Sequence, residues 1–301
     1  MGVNAGATGA EASRLNLGCG FDHRPGHVDV DLHAFHRPDV VADLRRLPFA
    51  GGSQRVVVLR DVLEHVDRDS TAAVLAECGR VVGPGGRLEV QVPDLAGVGR
   101  QLAADDLATH RVAEQLVYGT QAYDGDYHLA GFTDLLLADH LVRAGFESIE
   151  LWSIDGWLLQ GHAARRAMGD TAGCATSFTA GWFAPEGSDG AAGDPAGWRW
   201  STAGASVRFI NPTDDELKAT WSGRWLTHTG AVGTVELRSD DLVRSCAAAP
   251  APGAGFAIRT SLPPGVQTWE VRSDQPLAEP GEGRDHRPLS VGLAASALTL
   301  G

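Results

Sequence analysis

The sequence predicts an α/β domain with a mostly parallel sheet closed by an antiparallel hairpin, followed by an all-β sandwich-like domain. Three observations carry that expectation. Strand-like and helix-like apolar segments alternate up to about Arg166, which implies parallel strands with helices packed on both faces. The first apolar segment stops abruptly at Gly18-Cys19-Gly20, where a missing Cβ lets backbone turn tightly and approach a ligand. After Arg166 the helical periodicity is lost, and short apolar runs are punctuated by Asn-Pro and Pro-Gly, the pattern of a sandwich or barrel.

Taken in order, residues 14–17, 27–30, 40–42, 55–59 and 87–92 read as strands. A helix is predicted over residues 70–82, with Ser70 as N-cap and Val74, Leu75, Val81 and Val82 as apolar positions. Pro84-Gly85-Gly86 stops it. Residues 95–126 read as a longer helical or irregular segment, and residues 133–144 as a helix ended by Gly145. Residues 146–152 and 157–163 form the closing hairpin. The expected domains are therefore a disordered N-terminus (1–13), the α/β domain (14–166), a linker and lead-in (167–197) and the β-rich domain (198–301). Strands in the last are expected at 205–210, 233–237, 255–262 and 268–273.

Composition narrows the function classes. With 301 residues, 43% of them hydrophobic, the chain can build one large domain or two. A net charge of −13 argues against a sequence-independent grip on phosphate backbones, so no nucleic-acid partner is expected. Lys218 is the only lysine. No apolar stretch reaches membrane-spanning length, and the N-terminus lacks a basic region followed by an apolar block. Cys19, Cys78, Cys174 and Cys246 have no metal-type spacing. The expectation is a reduced, cytoplasmic protein without a membrane partner.

The glycine loop is followed by acidic residues at the ends of the next two apolar segments, Asp31 and Asp43. A carboxylate at a strand end can accept hydrogen bonds from a ribose diol, so a nucleoside ligand across the carboxyl edge of the sheet is expected. Asp31 is the candidate, with Asp29 as its competitor. An Asp at Asp43 also suits a turn or cap. Cys19 reads as a small packed residue, since nothing nearby stabilises a thiolate.

In this order LNLGCG at 15–20, HVDVD at 27–31, VADLRRLPF at 41–49, RVVVLRDVLEHV at 55–66, RVVGPGG at 80–86 and the segments at 88–94 and 132–146 resemble a Rossmann-like class I S-adenosylmethionine-dependent methyltransferase of a compact bacterial branch. The resemblance implies S-adenosylmethionine as cofactor. It places Asn16, Gly18, Cys19 and Gly20 beneath the methionine portion, Asp31 at the ribose, Asp43 and Leu44 at the adenine, and Arg60 and Asp61 over the cofactor. One departure stands out. Only residues 21–26, with Pro25, separate the glycine loop from the second strand, too few for a helix. That leaves His23 and Arg24 near the cofactor's edge.

Methyl transfer is a direct displacement at a sulfonium, so alignment dominates, and an oxygen or nitrogen nucleophile also needs a base. His65 and His128 are the catalytic candidates, because imidazole titrates near neutral pH. His128 closes an irregular segment, 123–128, which in this fold commonly forms the substrate lid. Asp61, Glu64 and His65 admit two readings. In one, they hold a divalent metal with His128, as in some small-RNA and quinone-precursor O-methyltransferases that look similar here. In the other, Asp61 caps a helix and Glu64-His65 makes supporting hydrogen bonds. No metal ligand is assigned.

Trp198, Trp200, Trp221, Trp225 and Trp269 concentrate in the β-rich region, which resembles accessory domains of bacterial glycosyltransferases and sugar-modifying enzymes. Tryptophan can stack on sugar faces or fill a sandwich core. The resemblance implies a small-molecule or glycan acceptor, and O-methylation of a sugar, glycan or secondary metabolite. The rival readings are a non-catalytic carbohydrate-binding or scaffold protein on this fold, and another transferase using the same nucleoside.

Overall fold

The computed structural model describes residues 14–166, 173–186, 197–240, 242–277 and 289–301. The N-terminus expected to be disordered and most of the expected linker lie outside the described residues. The α/β half opens with strands β1 (Arg14–Leu17), β2 (Val28–Asp31), β3 (Val40–Val41) and β4 (Gln54–Arg60). Helix α1 (Arg68–Val81) leads into β5 (Val82–Pro93). Helices α2 (Leu95–Gln101), α3 (Leu107–Tyr118) and α4 (Asp134–Arg143) precede the hairpin β6 (Phe146–Ile154) and β7 (Leu158–Arg165). The strand order is β3-β2-β1-β4-β5-β7-β6. The first five strands run parallel, and β7 is antiparallel to both β5 and β6.

The first helix starts earlier than expected. Asp67, not Ser70, is its cap: the carboxylate accepts the Ser70 N–H at 2.9 Å, satisfying one of the donors a helix start leaves open. Pro84-Gly85-Gly86 lies inside β5, where the pairing with β4 shifts register between Gln54 and Val56. At the other end of the domain, Thr133 caps α4 and Gly145 follows it with φ +85°.

Helices α1 and α4 bury one face of the sheet. Leu75, Cys78, Leu137 and Leu141 pack with Leu15, Leu17, Val57, Leu59, Leu88, Val90, Leu151 and Leu159. The expectation of helices on both faces is corrected. Among the described residues, no helix joins β1 to β2, since only the short 21–26 loop connects them. Over β5, β7 and β6 the opposite face presents Glu89, His162 and Glu150 in one row, not an apolar layer.

The remaining strands are β8 (Ala175–Trp182), β9 (Trp198–Asn211), β10 (Leu217–Thr227), β11 (Gly233–Ser239), β12 (Leu242–Ala248), β13 (Ala254–Leu262), β14 (Gly265–Ser273) and β15 (Val291–Leu300). They form two layers, but not a detached sandwich. Strand β8 pairs in parallel with β6, and the sheet runs on through β9, β14, β11 and β12. An open edge at β6 is thereby closed. The second layer is β13-β10-β15, tied back to the first where Trp198–Trp200 of β9 pairs with β15. Between the layers Trp221, Trp225 and Trp269 are buried with Phe178 and Phe209, so these tryptophans are core fillers. No helix among the described residues is long and apolar enough to cross a membrane.

Candidate active site

A cleft of about 830 Å³ opens at the carboxyl ends of β1, β2, β4 and β5, where open α/β sheets bind ligands. Its floor is the glycine loop. Gly18 adopts φ +62° and Gly20 φ +51°, and a Cβ on Gly18 would lie 2.7 Å from both Val62 methyls. Asp31 holds this loop: the Gly20 N–H donates to Oδ2 at 2.9 Å and the His33 N–H to Oδ1 at 2.7 Å. His36 Nδ1 approaches Oδ1 at 3.1 Å without hydrogen-bond alignment. Burial alone would raise the Asp31 pKa, but the two amides and His36 outweigh it and hold the carboxyl below its ordinary range. Each oxygen keeps a lone pair for a ligand hydroxyl.

The other expected cofactor residues divide. Gly18, Cys19, Gly20, Asp43, Leu44, Arg60 and Asp61 line the cleft. Asn16 does not. Its amide donates to the Asp22 carbonyl at 2.7 Å and to Asp29 Oδ1 at 2.8 Å, because Asn16 and Asp29 are register partners on neighbouring strands. Asp29 Oδ2 also meets His23 Nδ1 at 2.8 Å. Asp29 and Asp31, two residues apart, share a face, yet Asp29 clamps the short loop while Asp31 faces the cleft. Of His23 and Arg24, only Arg24 lines it. The Cys19 thiol is pushed up to about 12 by burial, with the Asp31 and Asp29 charges adding, so it packs and does not attack.

At the rim, the Asp43 carboxylate accepts from Arg45 Nη2 at 2.6 Å and from the Arg45 N–H at 2.9 Å. Arg45 holds it below the usual carboxylate range. Asp61 caps no helix. It sits at φ +53° and accepts both bonds of the Gln91 amide, at 2.9 and 2.8 Å, while Gln160 donates to Gln91 Oε1. The following Leu63–His65 forms a single 3-10 turn, so Asp61 and Glu64 do not share a helical face. Gln91 was not anticipated; its only signal is a polar residue inside the apolar run of β5.

The structure brings Glu64, His65 and His128 together. The Glu64 carbonyl accepts from the Leu129 and Ala130 N–H groups at 2.6 and 3.1 Å, which docks the segment after α3 onto the turn. His65 Nδ1 lies 3.2 Å from the Tyr127 carbonyl and His128 Nδ1 2.9 Å from the Leu116 carbonyl. Both contacts assign the Nδ1–H tautomer and leave Nε2 as a lone pair. The two rings meet edge-on with centroids 4.7 Å apart. Glu64 is 1% exposed, its Oε2 has no hydrogen-bond partner, and burial pushes its carboxyl up to about 8. Burial, then the nearby His128, pulls the His65 pKa down. One ligand atom from each of Glu64, His65 and His128 lies within 4.8 Å of the others. Two imidazoles and a carboxylate suit a divalent transition metal, and carbonyl-anchored Nδ1–H groups are the usual support of ligating histidines. Asp61 stands outside this group. His65 lines the cleft, and His128 does not.

A ring cluster missed from the sequence borders the Asp31 side. Phe21, His33, His36 and Tyr123 line the cleft there, with His36 buried edge-on to Phe21 at 4.7 Å and Tyr123 at 5.5 Å. The only signal was the aromatic run after the second strand.

Residues 2–90 match the family model described as "Methyltransferase domain". The N-terminal region therefore carries a Rossmann-like methyltransferase domain. No curated protein matches the chain. Among solved structures, a possible exported protein from Bordetella parapertussis is 14% identical with a TM-score of 0.39, over 52% of this chain and 62% of that one. The 1,6-didemethyltoxoflavin-N1-methyltransferase of Burkholderia thailandensis, with S-adenosylhomocysteine bound, is 16% identical with a TM-score of 0.34, over 51% of this chain and 71% of that one. Phosphoethanolamine N-methyltransferase 2 of Haemonchus contortus, with S-adenosyl-L-methionine, is 13% identical with a TM-score of 0.36, over 52% of this chain and 49% of that one.

Proposed function

We propose that the chain transfers a methyl group from S-adenosylmethionine to a hydroxyl of a sugar, glycan or secondary metabolite. The observation that carries the cofactor is the bond between Gly20 and Asp31: a glycine loop held open by a buried, ionised carboxylate at the mouth of a nucleoside-sized cleft. In this reading Asp31 accepts the ribose diol, the glycine loop lies beneath the methionine portion, and Asp43 and Leu44 border the adenine. Arg60 and Asp61 lie at the sulfonium end. Carboxylates at Asp31, Asp43, Asp61, Asp124 and Asp126 all line the cleft, which favours a sulfonium cation over its neutral thioether product.

His65 is the base. Its neutral imidazole borders the cleft and takes the acceptor O–H proton as the oxygen attacks the methyl carbon, forming C–O while the C–S bond breaks. His128 acts through His65, by edge-on contact. The four cysteines are free thiols, which supports the cytoplasmic setting. Calorimetric titration with S-adenosylmethionine tests the reading. Micromolar binding is expected, with a loss of about tenfold or more in Asp31→Ala. Absence of binding to the intact chain overturns it and favours the scaffold alternative. A product gaining one methyl group excludes other transferases.

A divalent cation on Glu64, His65 and His128 is the second reading, favoured by the orphaned Glu64 Oε2. A bound cation would supply Lewis-acid stabilisation of the acceptor oxygen. Titration of the metal-free protein with Mn²⁺ or Zn²⁺, against Glu64→Gln, separates the two readings: saturable binding lost in the variant supports the cation, and its absence leaves His65 as base.

A further inference from the structure

The helix-free sheet face ends in a second cavity, of about 300 Å³, away from the cofactor cleft. Its lining begins with the polar row. Glu150 of β6 and His162 of β7 are register partners, and Arg199 of β9 closes on Glu150 with Nη2 2.7 Å from Oε2. Arg199 is 4% exposed. Its guanidinium lies over the Phe178 ring at 3.9 Å and near Trp152 at 5.6 Å, which fixes it in place. His162 Nε2 stands 3.9 Å from the same Glu150 oxygen.

The two charges neutralise each other through Nη2 and Oε2, while Arg199 Nη1 is buried without a hydrogen-bond partner and keeps its N–H groups to donate. An entering anion meets the Glu150 carboxylate, and an entering cation meets Arg199. What the wall offers instead is a mixture of acceptors and donors. Glu150 can accept. Thr176 contributes a hydroxyl to the lining. Ser296 accepts the Trp221 indole N–H at 3.1 Å, so its own O–H remains to donate. The half-buried Trp198 adds an aromatic surface to the same wall. Neutral lining, paired donors and acceptors and one indole face fit a ring that carries hydroxyls on its edge and C–H groups on its face. The volume suits one such ring better than a chain, and as a water pool it would hold on the order of ten molecules.

A smaller cavity of about 160 Å³ shares His162 with this one and Arg60 with the cofactor cleft. The second cavity thus lies along one sheet face from the cleft, not on an unrelated surface.

We propose that this cavity is a second ligand site, binding a single uncharged pyranose at the junction of the α/β half with β9 and β15. The site stands whether or not the cleft transfers methyl groups. The test is saturation-transfer NMR on the full chain with the methyl pyranosides of glucose, mannose and galactose, and with glucuronate and inorganic phosphate as charged probes. Ala297→Trp plugs the wall from an exposed position, and Thr176→Val removes one hydroxyl without changing shape. At least one neutral pyranoside should give a saturable signal, weakened about tenfold or more by Ala297→Trp and about threefold by Thr176→Val. Unchanged melting temperatures and unchanged S-adenosylmethionine titrations in both variants confine the effect to this cavity. No saturable signal from any neutral pyranoside, signals that survive the plug, or tighter binding of a charged probe overturns the proposal.

Discussion

Acidification should destabilise this protein through one histidine in particular. His162 sits in the polar row with its side chain 12% exposed. Burial pulls its imidazole from 6.5 down to about 4, and the charges of Arg199 and Arg87 work in the same direction. Glu150 and Glu89 are its register neighbours on either side, and they do not reverse the shift. A folded pKa below the unfolded value means the unfolded chain takes up the proton first. The neutral imidazole's contribution is therefore intact above about pH 6.5 and is lost as pH falls from there toward 4. At about 1.4 kcal/mol per unit, integration from pH 7 to pH 5 gives a loss of roughly 2 kcal/mol from this side chain alone. His162→Gln removes the titration and keeps a polar group in the row. Denaturant unfolding of both proteins at pH 7, 6 and 5 is the assay. The parent should lose about 2 kcal/mol more than the variant over that span. Parallel curves for the two proteins would refute the burial argument.

Two further predictions concern the glycine loop. Gly18→Ala adds a Cβ at 2.7 Å from the Val62 methyls in a left-handed conformation. It should lower stability by about 1–3 kcal/mol, read by thermal unfolding, and weaken S-adenosylmethionine binding in parallel. A variant as stable as the parent would contradict the packing. Cys19, with its thiol pushed up to about 12, should resist iodoacetamide at pH 8 in the native protein and react once unfolded. Rapid native labelling at that position, detected by peptide mass, would show a thiolate that the burial argument forbids.

The legible parts of the fold are those where local chemistry marks an element's end. Strand β1 ends on the glycine loop, α4 starts under Thr133, and the hairpin turns at a glycine, so each was placed within a residue or two. Strands β8, β10, β12 and β15 escape because their sequences, ATSFTAGW, LKATWSGRWLT, LVRSCAA and VGLAASALTL, dilute apolar alternation with small residues that pack equally well inside or out. The site divides similarly. Asp31 is legible as a carboxylate at a strand end beside a glycine turn. The Asp61–His65 run imitates a helix start, but the cap that forms is Asp67, and Asp61 turns instead to Gln91 across the sheet. Nothing local announces that His65 meets His128. That contact depends on the Glu64 carbonyl capturing the backbone of Leu129 and Ala130, a long-range event outside any sequence window.

The short 21–26 loop ties these features together. Without a helix between β1 and β2, the clamp of Asn16, Asp29 and His23 holds the loop, and one sheet face is left polar. That face and the β6 edge are then completed by the later strands: β8 pairs with β6 through Ile149–Trp152, and Arg199 neutralises Glu150. Removing everything after Arg166 would thus unpair an edge strand and strip Ala175 and Ile210 from the α/β core, although every cleft-lining residue remains. Each large apolar side chain lost from the core costs about 1.5–3 kcal/mol, and a few of them amount to a large part of a domain's typical stability. The truncated chain should consequently be expanded or aggregated at neutral pH, and Glu150→Gln should not restore it, since that carboxylate is solvated once β9 and β15 are gone. Circular dichroism and size-exclusion chromatography of the two truncations decide the matter. A monomeric, fully folded fragment with native melting behaviour would mean that the α/β half is self-sufficient and that the shared sheet contributes little to it.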